Sequence, residues 1–395
     1  MFTPERYRGA FAADPELTAI WMNAAYTLRL CIDFFILDGI KRDRLPWMGD
    51  HLISMLSNAL SFYDGDICRR TLTLLGHPGV RKGDINGLAD YTLWLPIASE
   101  HFQLYWGDRA FLEKQYPELT DTADALLERT AETVWLPERG TAFFIDWTKE
   151  EKFTGVQILL YYALRSFARL VHRMNDADRE EKLLARAEIL HDKLYGEAFD
   201  PARKLFRAHP GRPEAGFNRY ANILAILSGL ADGENARSAA EALLTDEMPA
   251  VGTPYMHALE CLALYRAGFA TEALERLRRI WGGMLRLGAT TFWEGFDPRQ
   301  TDDDHFVFYD RKFGKSLCHA WSSGPVFLLP LFLFGVEPLE DGWKTFRISP
   351  ASGLLHEGDC ATLPVPEGEI RLLWQNGKLE IEKPTGIVLA ETSSC

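Results

Sequence analysis

Three carboxylates, three cations and a tryptophan crowd into one short stretch, Asp38-Gly39-Ile40-Lys41-Arg42-Asp43-Arg44-Leu45-Pro46-Trp47-Met48-Gly49-Asp50. Pro46 forbids a continuous helix through it, because proline lacks an N–H and its ring clashes with the preceding turn. The stretch therefore reads as a loop at a helix end. Its charge density and aromatic platform suit a polar, ring-shaped ligand; a solvated connecting loop is the plain alternative. A second element is Trp293-Glu294-Gly295-Phe296-Asp297, where a glutamate sits between aromatics. A carboxylate withdrawn from water is a stronger base, whereas a glutamate pointing out of the same loop would do nothing. A third is Lys315-Ser316-Leu317-Cys318-His319-Ala320-Trp321. His319 stands near a helix start, where the helix dipole favours neutral imidazole, although a lone histidine is more often structural. Asp90 and Trp94 fall one helical turn apart, and Asp146 directly precedes Trp147. Each tryptophan is either a ligand contact or core.

Two carboxyl groups flanking a polar ring are what hydrolysis of a glycosidic bond requires. One protonates the departing oxygen, and the other activates water or attacks the sugar. Asp43 and Glu294 lie far apart in sequence, as opposite walls of one pocket would. No phosphate loop, zinc-ligand spacing, dinucleotide fingerprint or serine elbow occurs, so no metal site is expected. A net charge of −13 repels phosphate backbones, so nucleic acid is not an expected partner. Eleven tryptophans exceed what a core needs and fit stacking on the flat faces of sugars. Cys31, Cys68, Cys261, Cys318, Cys360 and Cys395 show no framework or ligand spacing, which predicts free thiols in a reducing compartment. The N-terminus carries no apolar signal core, and the apolar runs are too short or interrupted to span a bilayer. These features predict a soluble cytoplasmic protein without membrane contact.

The elements that must position these residues are mostly helices. Apolar spacing of three and four predicts helices over roughly 15–37, 49–75, 88–105, 108–135, 154–175, 177–197, 217–230, 233–246, 255–267, 270–286 and 319–334. Tight connectors such as Trp106-Gly107-Asp108 and Ala231-Asp232-Gly233 force antiparallel neighbours. Without a fixed-period repeat, a closed ring of hairpins is favoured over an open solenoid. In such a ring the long, polar-aromatic loops gather at one rim and the tight turns at the other. After residue 338 the pattern alternates apolar and polar, and Gln375-Asn376-Gly377 signals a hairpin. The expected organisation is a helical catalytic domain over 1–337 and a small antiparallel β unit over 338–395, packed on the helices.

The blocks around Asp38–Asp50, Gly288–Glu294 and Ser316–Pro325, in that order, resemble the catalytic domain of bacterial α-L-rhamnosidases, glycoside hydrolase family 78. The resemblance spans nearly the whole chain. It implies an (α/α)6 toroid, inversion at the anomeric carbon, a terminal rhamnoside as substrate and no cofactor. Carried over by position, Asp43 falls on the general acid and Glu294 on the general base. Asp38, Trp47, Asp50 and His319 fall on sugar-contacting positions, and Trp94 and Trp147 resemble pocket-wall tryptophans. Many relatives carry Glu where this chain has Asp43, and relatives usually place β-sandwich domains before the ring. A helical flank without such a module could support a homodimer. Another sugar specificity on the same ring, a non-catalytic sugar-binding protein, and a helical cyclase or lyase are the alternatives.

Overall fold

The computed structural model describes residues 6–41, 43–77 and 79–390. Its helices are α1 (Pro15–Cys31), α2 (Met48–Ala59), α3 (Gly65–Gly76), α4 (Ala89–Trp106), α5 (Arg109–Arg129), α6 (Phe153–Arg173) and α7 (Ala177–Glu197). They continue with α8 (Arg219–Ser228), α9 (Gly233–Leu243), α10 (Pro254–Arg266), α11 (Ala270–Leu277), α12 (Gly283–Arg286) and α13 (Pro325–Phe334). Six hairpins arrange these as a toroid. Helices α2, α4, α6, α8, α10 and α13 form the inner ring, each touching the next, and α13 returns to α2.

Sequence dictates which helices go inside. Every residue of α2 and of α13 is buried; α13 is apolar all round, as a helix buried on every side is expected to be, whereas α2 also buries Asp50, His51, Ser54, Ser57 and Asn58. Helix α7 buries only Leu183, Ala187, Leu190 and Leu194, one stripe at helical spacing that faces inward. Outer helices start on acidic caps. The carboxylates of Asp14, Asp64, Asp108 and Asp176 accept the first free N–H groups of α1, α3, α5 and α7.

Several predicted helices end early. The run predicted over 15–37 stops at Cys31, where Ile32 bridges Ile36 across a tight bend. The run predicted over 49–75 is two helices. The Asn58 amide bonds Asp64 in both directions, Tyr63 turns left-handed (φ 59°), and Asp64 caps α3. The apolar period carries through this corner, so periodicity alone could not reveal it. The run predicted over 108–135 ends at Arg129, and a wide π turn over Arg278–Gly282 separates α11 from α12.

The two rims differ as the loop lengths predict. Inner-to-outer connections are tight, such as the turn at Gly107 (φ 63°). Outer-to-inner connections are long: 32–47, 77–88, 130–152, 198–218, 244–253 and 287–324. The C-terminal strands cover the tight rim. Strands Cys360–Val365, Gly368–Gln375 and Lys378–Glu382 form an antiparallel sheet, joined at its edge by Ala10–Ala12 from before α1. The hairpin at Asn376-Gly377 is present, with positive φ at both residues. A second sheet departs from the antiparallel expectation, because Val388–Leu389 pairs parallel to Thr345–Arg347. Trp343, fully buried, meets Tyr105 at 5.5 Å between ring centroids, and Arg173 pairs with Asp341 at 2.8 Å. Among the described residues no helix is long and apolar enough to cross a membrane.

Candidate active site

Four of the long loops, with the helix ends they enter, line one cavity of about 370 Å³ on the open rim. Residues 32–47 and the start of α2 bring Asp38, Asp43, Trp47 and Asp50. The entry to α4 brings Leu88 and Tyr91. Residues 130–152 bring Phe143, Phe144 and Trp147. Residues 287–324 bring Glu294, Tyr309, His319 and Trp321.

Backbone pairing aligns the three sequence blocks. Glu294 N–H donates to the Ser316 carbonyl (2.9 Å), and His319 N–H to the Phe292 carbonyl (3.0 Å). Ala320 N–H reaches the Asp38 carbonyl (2.6 Å), and Gly39 bridges His319. A Cβ on Gly39 would lie 2.9 Å from the Cys318 carbonyl oxygen, so only glycine permits this approach.

Within the cavity the carboxylates occupy different environments. Glu294 is 1 % exposed. Its Oε1 accepts the Tyr309 hydroxyl (2.5 Å) and its Oε2 the Ser316 N–H (2.9 Å). The flanking Trp293 and Phe296 are buried beside it. Asp43 is exposed at the mouth. Of the cations around it, Lys41 turns away to the backbone carbonyls of Phe313 and Lys315. Arg44 is exposed, and Arg42 lies outside the described residues. Asp38 and Asp50 are buried. Burial pushes the Asp38 carboxyl up to about 6; His319 opposes that rise and Asp50 adds to it. His319 Nε2 stands 3.4 Å from Asp50 Oδ1. The Lys315 ammonium, buried above the Trp293 ring, is pushed down to about 8 chiefly by desolvation, against the pull of Glu294.

Aromatic rings form the rest of the wall. Trp47 meets Tyr91 edge-on (6.0 Å), Tyr91 meets Phe144 (5.8 Å), and Phe144 meets Trp147 (4.9 Å). Trp321 stacks on Phe144 at 6.3 Å and 15°. Trp147 is 48 % exposed, so its ring remains open to a ligand. Trp94 is corrected: it is 2 % exposed, its ring packs on Tyr255 (6.3 Å), and it is not among the cavity-lining residues. One turn of α4 carries it from the rim into the core.

The two acids next to these tryptophans hold the loop rather than face the ligand. Asp90 accepts the N–H groups of Phe144 (3.0 Å) and Ile145 (2.8 Å). Burial pushes its carboxyl up to about 6, with these bonds opposing. Asp146 accepts from the Tyr220 hydroxyl, Gly252 N–H, Thr253 hydroxyl and Trp147 N–H, all within 2.8 Å. An irregular loop has no ladder to satisfy its backbone, and buried carboxylates supply the missing acceptors. Tyr91 and Tyr309 were not singled out from sequence. Tyr91 follows Asp90 at a helix start, a usable position signal, whereas nothing local distinguishes Tyr309.

A toroid of helical hairpins with carboxylates in one tryptophan-walled cavity fits the class of six-hairpin glycosidase folds. Residues 8–330 match the family model for the bacterial alpha-L-rhamnosidase 6 hairpin glycosidase domain, and the chain belongs to that family. The structure is similar to the family 78 rhamnosidase of Bacillus sp. GL1, with TM-score 0.85 and 24% identity over 98% of this chain and 43% of that one. It is similar to the Klebsiella oxytoca rhamnosidase with rhamnose bound, with TM-score 0.73 and 26% identity over 82% of this chain and 65% of that one. The Streptomyces avermitilis α-L-rhamnosidase complexed with L-rhamnose gives TM-score 0.75 and 20% identity over 96% of this chain and 38% of that one. The chain thus spans less than two thirds of the length of each of these relatives. A comparison with the curated proteins found no match.

Proposed function

We propose that this chain is an inverting exo-glycosidase that removes terminal α-L-rhamnose. Asp43 donates a proton to the departing glycosidic oxygen, and Glu294 takes one from a water on the opposite face of the sugar. The observation that carries this reading is the sharing of one cavity by Asp43 and Glu294 in contrasting environments. An exposed carboxyl at the mouth meets the leaving group as it exits toward solvent. A buried carboxylate, accepting from the Tyr309 hydroxyl and the Ser316 N–H, meets a water inside. Inversion requires a carboxyl separation of roughly 6.5–9.5 Å, leaving room for that water. Asp38, Asp50 and His319 would bind the sugar hydroxyls, and Trp47 and Trp147 would stack on its apolar faces. Membership of the rhamnosidase family and the rhamnose held by two similar structures favour rhamnose over other sugars.

Proton NMR of the first-formed sugar from an aryl α-L-rhamnoside tests substrate and stereochemistry together. Inversion delivers the β-anomer first. Release of the α-anomer first removes the inverting assignment. Binding of rhamnose without turnover would make the chain a sugar-binding protein.

A further inference from the structure

We propose that Tyr309 is a positioning residue that orients the Glu294 carboxylate for proton abstraction, an inference that rests on the glycosidase reading above. Val307–Phe308 pairs antiparallel with Arg311–Lys312, leaving Tyr309-Asp310 as a two-residue hairpin loop. Both loop residues are left-handed, each with φ 54°. Such a loop favours Asn and Gly, because both positions require positive φ. A tyrosine there is a backbone outlier, and an outlier at a site points to work done by its side chain.

That side chain reaches into the cavity. Its hydroxyl donates to Glu294 Oε1 at 2.5 Å, while Ser316 N–H donates to Oε2. Its ring stands edge-on to Trp147 at 5.4 Å. The Tyr309 hydroxyl on one oxygen and the Ser316 N–H on the other constrain the plane of the carboxylate, and loss of the hydroxyl loosens the hold on the oxygen it meets. The hairpin thereby ties the buried base to the aromatic wall on which the sugar would rest.

Two variants separate the hydroxyl from the turn. Tyr309→Phe keeps the ring and removes the donor. Its kcat should fall about 10²-fold, the scale of a misplaced catalytic group, with KM within about twofold if sugar binding is untouched. In an E294Q background the same change should cost nothing further, since the base it orients is gone, although the amide oxygen can still accept the hydroxyl. Tyr309→Asn gives the turn a residue suited to positive φ. It should hold or raise the melting temperature while losing kcat as Tyr309→Phe does. Wild-type kcat in Tyr309→Phe overturns the inference, as does an equal loss in the E294Q background. A lower melting temperature for Tyr309→Asn with kcat retained marks a structural residue and also overturns it. If the wild-type chain turns over no rhamnoside, the glycosidase reading fails and takes this inference with it. An active wild type beside a fully active Tyr309→Phe sinks this inference alone.

Discussion

The two rims of the toroid are built from the same six hairpins and do opposite things. At the tight rim, short turns bring helix ends together, and the C-terminal sheets bury Trp343 against Tyr105. At the open rim, long loops leave a cavity, and buried carboxylates hold them alongside short bridges and two-residue strand pairs. The tight rim satisfies its backbone with turns and strand ladders, which are local and repetitive. The open rim uses Asp90 and Asp146 as substitute acceptors, which leaves its aromatic side chains facing the cavity. The contrast teaches that irregular backbone, costly elsewhere, is tolerated where it presents chemistry.

The sharpest test removes the chemistry from the open rim alone. Asp43→Asn and Glu294→Gln should each lower kcat by roughly 10³-fold or more, near the upper range for acid–base groups, with unchanged melting temperatures. Near-normal turnover by either variant would take that residue out of its role. On the tight rim the converse holds. Trp343→Ala should cost about 3–5 kcal/mol of stability, as large aromatic deletions in cores do, and leave kcat of the folded protein intact. Denaturant unfolding beside steady-state kinetics reads both, and a loss of kcat there would break the division between rims.

The loop anchors give a pH signature. Burial raises the Asp90 carboxyl from 3.8 to about 6, so between about pH 4 and 6 the folded protein holds a proton that the unfolded chain has released. The contribution of Asp90 to stability therefore falls as pH rises through that window and is level above it. Asp90→Asn cannot ionise. Apart from a constant offset for a lost backbone bond, its stability relative to wild type should rise by about 2 kcal/mol from pH 4 to 7. A flat difference in urea titrations across that range would show that Asp90 does not titrate there. The smallest expected effects separate the two tryptophans. Trp147→Ala should raise KM several-fold, since stacking contacts are worth about 1 kcal/mol. Trp94→Phe should leave KM unchanged and lower only stability, as its ring is buried against Tyr255 and does not line the cavity.

Much of this molecule was legible in its sequence. Apolar spacing exposed the helices, and the short glycine connectors set their antiparallel pairing. The all-apolar run of α13 fits the inner position it takes. The block from Asp38 to Asp50 stood out as a candidate site, because proline, clustered charge and tryptophan together fit neither a core helix nor an ordinary turn, and four of its residues line one cavity. The corner at 60–64 was not legible, since an apolar face can continue across a turn without changing period. Nor was the depth of Trp94, because residues one turn apart on a rim helix can lie on opposite sides of the boundary between cavity and core.

What the sequence determined by itself is the set of local choices: which segments coil, and which stretches gather charge beside aromatic rings. These rest on backbone sterics and on periods of a few residues. Tertiary structure alone decided that Glu294 receives the hydroxyl of Tyr309, that Asp90 and Asp146 serve the loop, and that His319 stands beside Asp50. Closing the ring brings the inner helix starts to one rim, and which loop atoms then touch depends on packing across the whole toroid, which no short stretch of chain encodes.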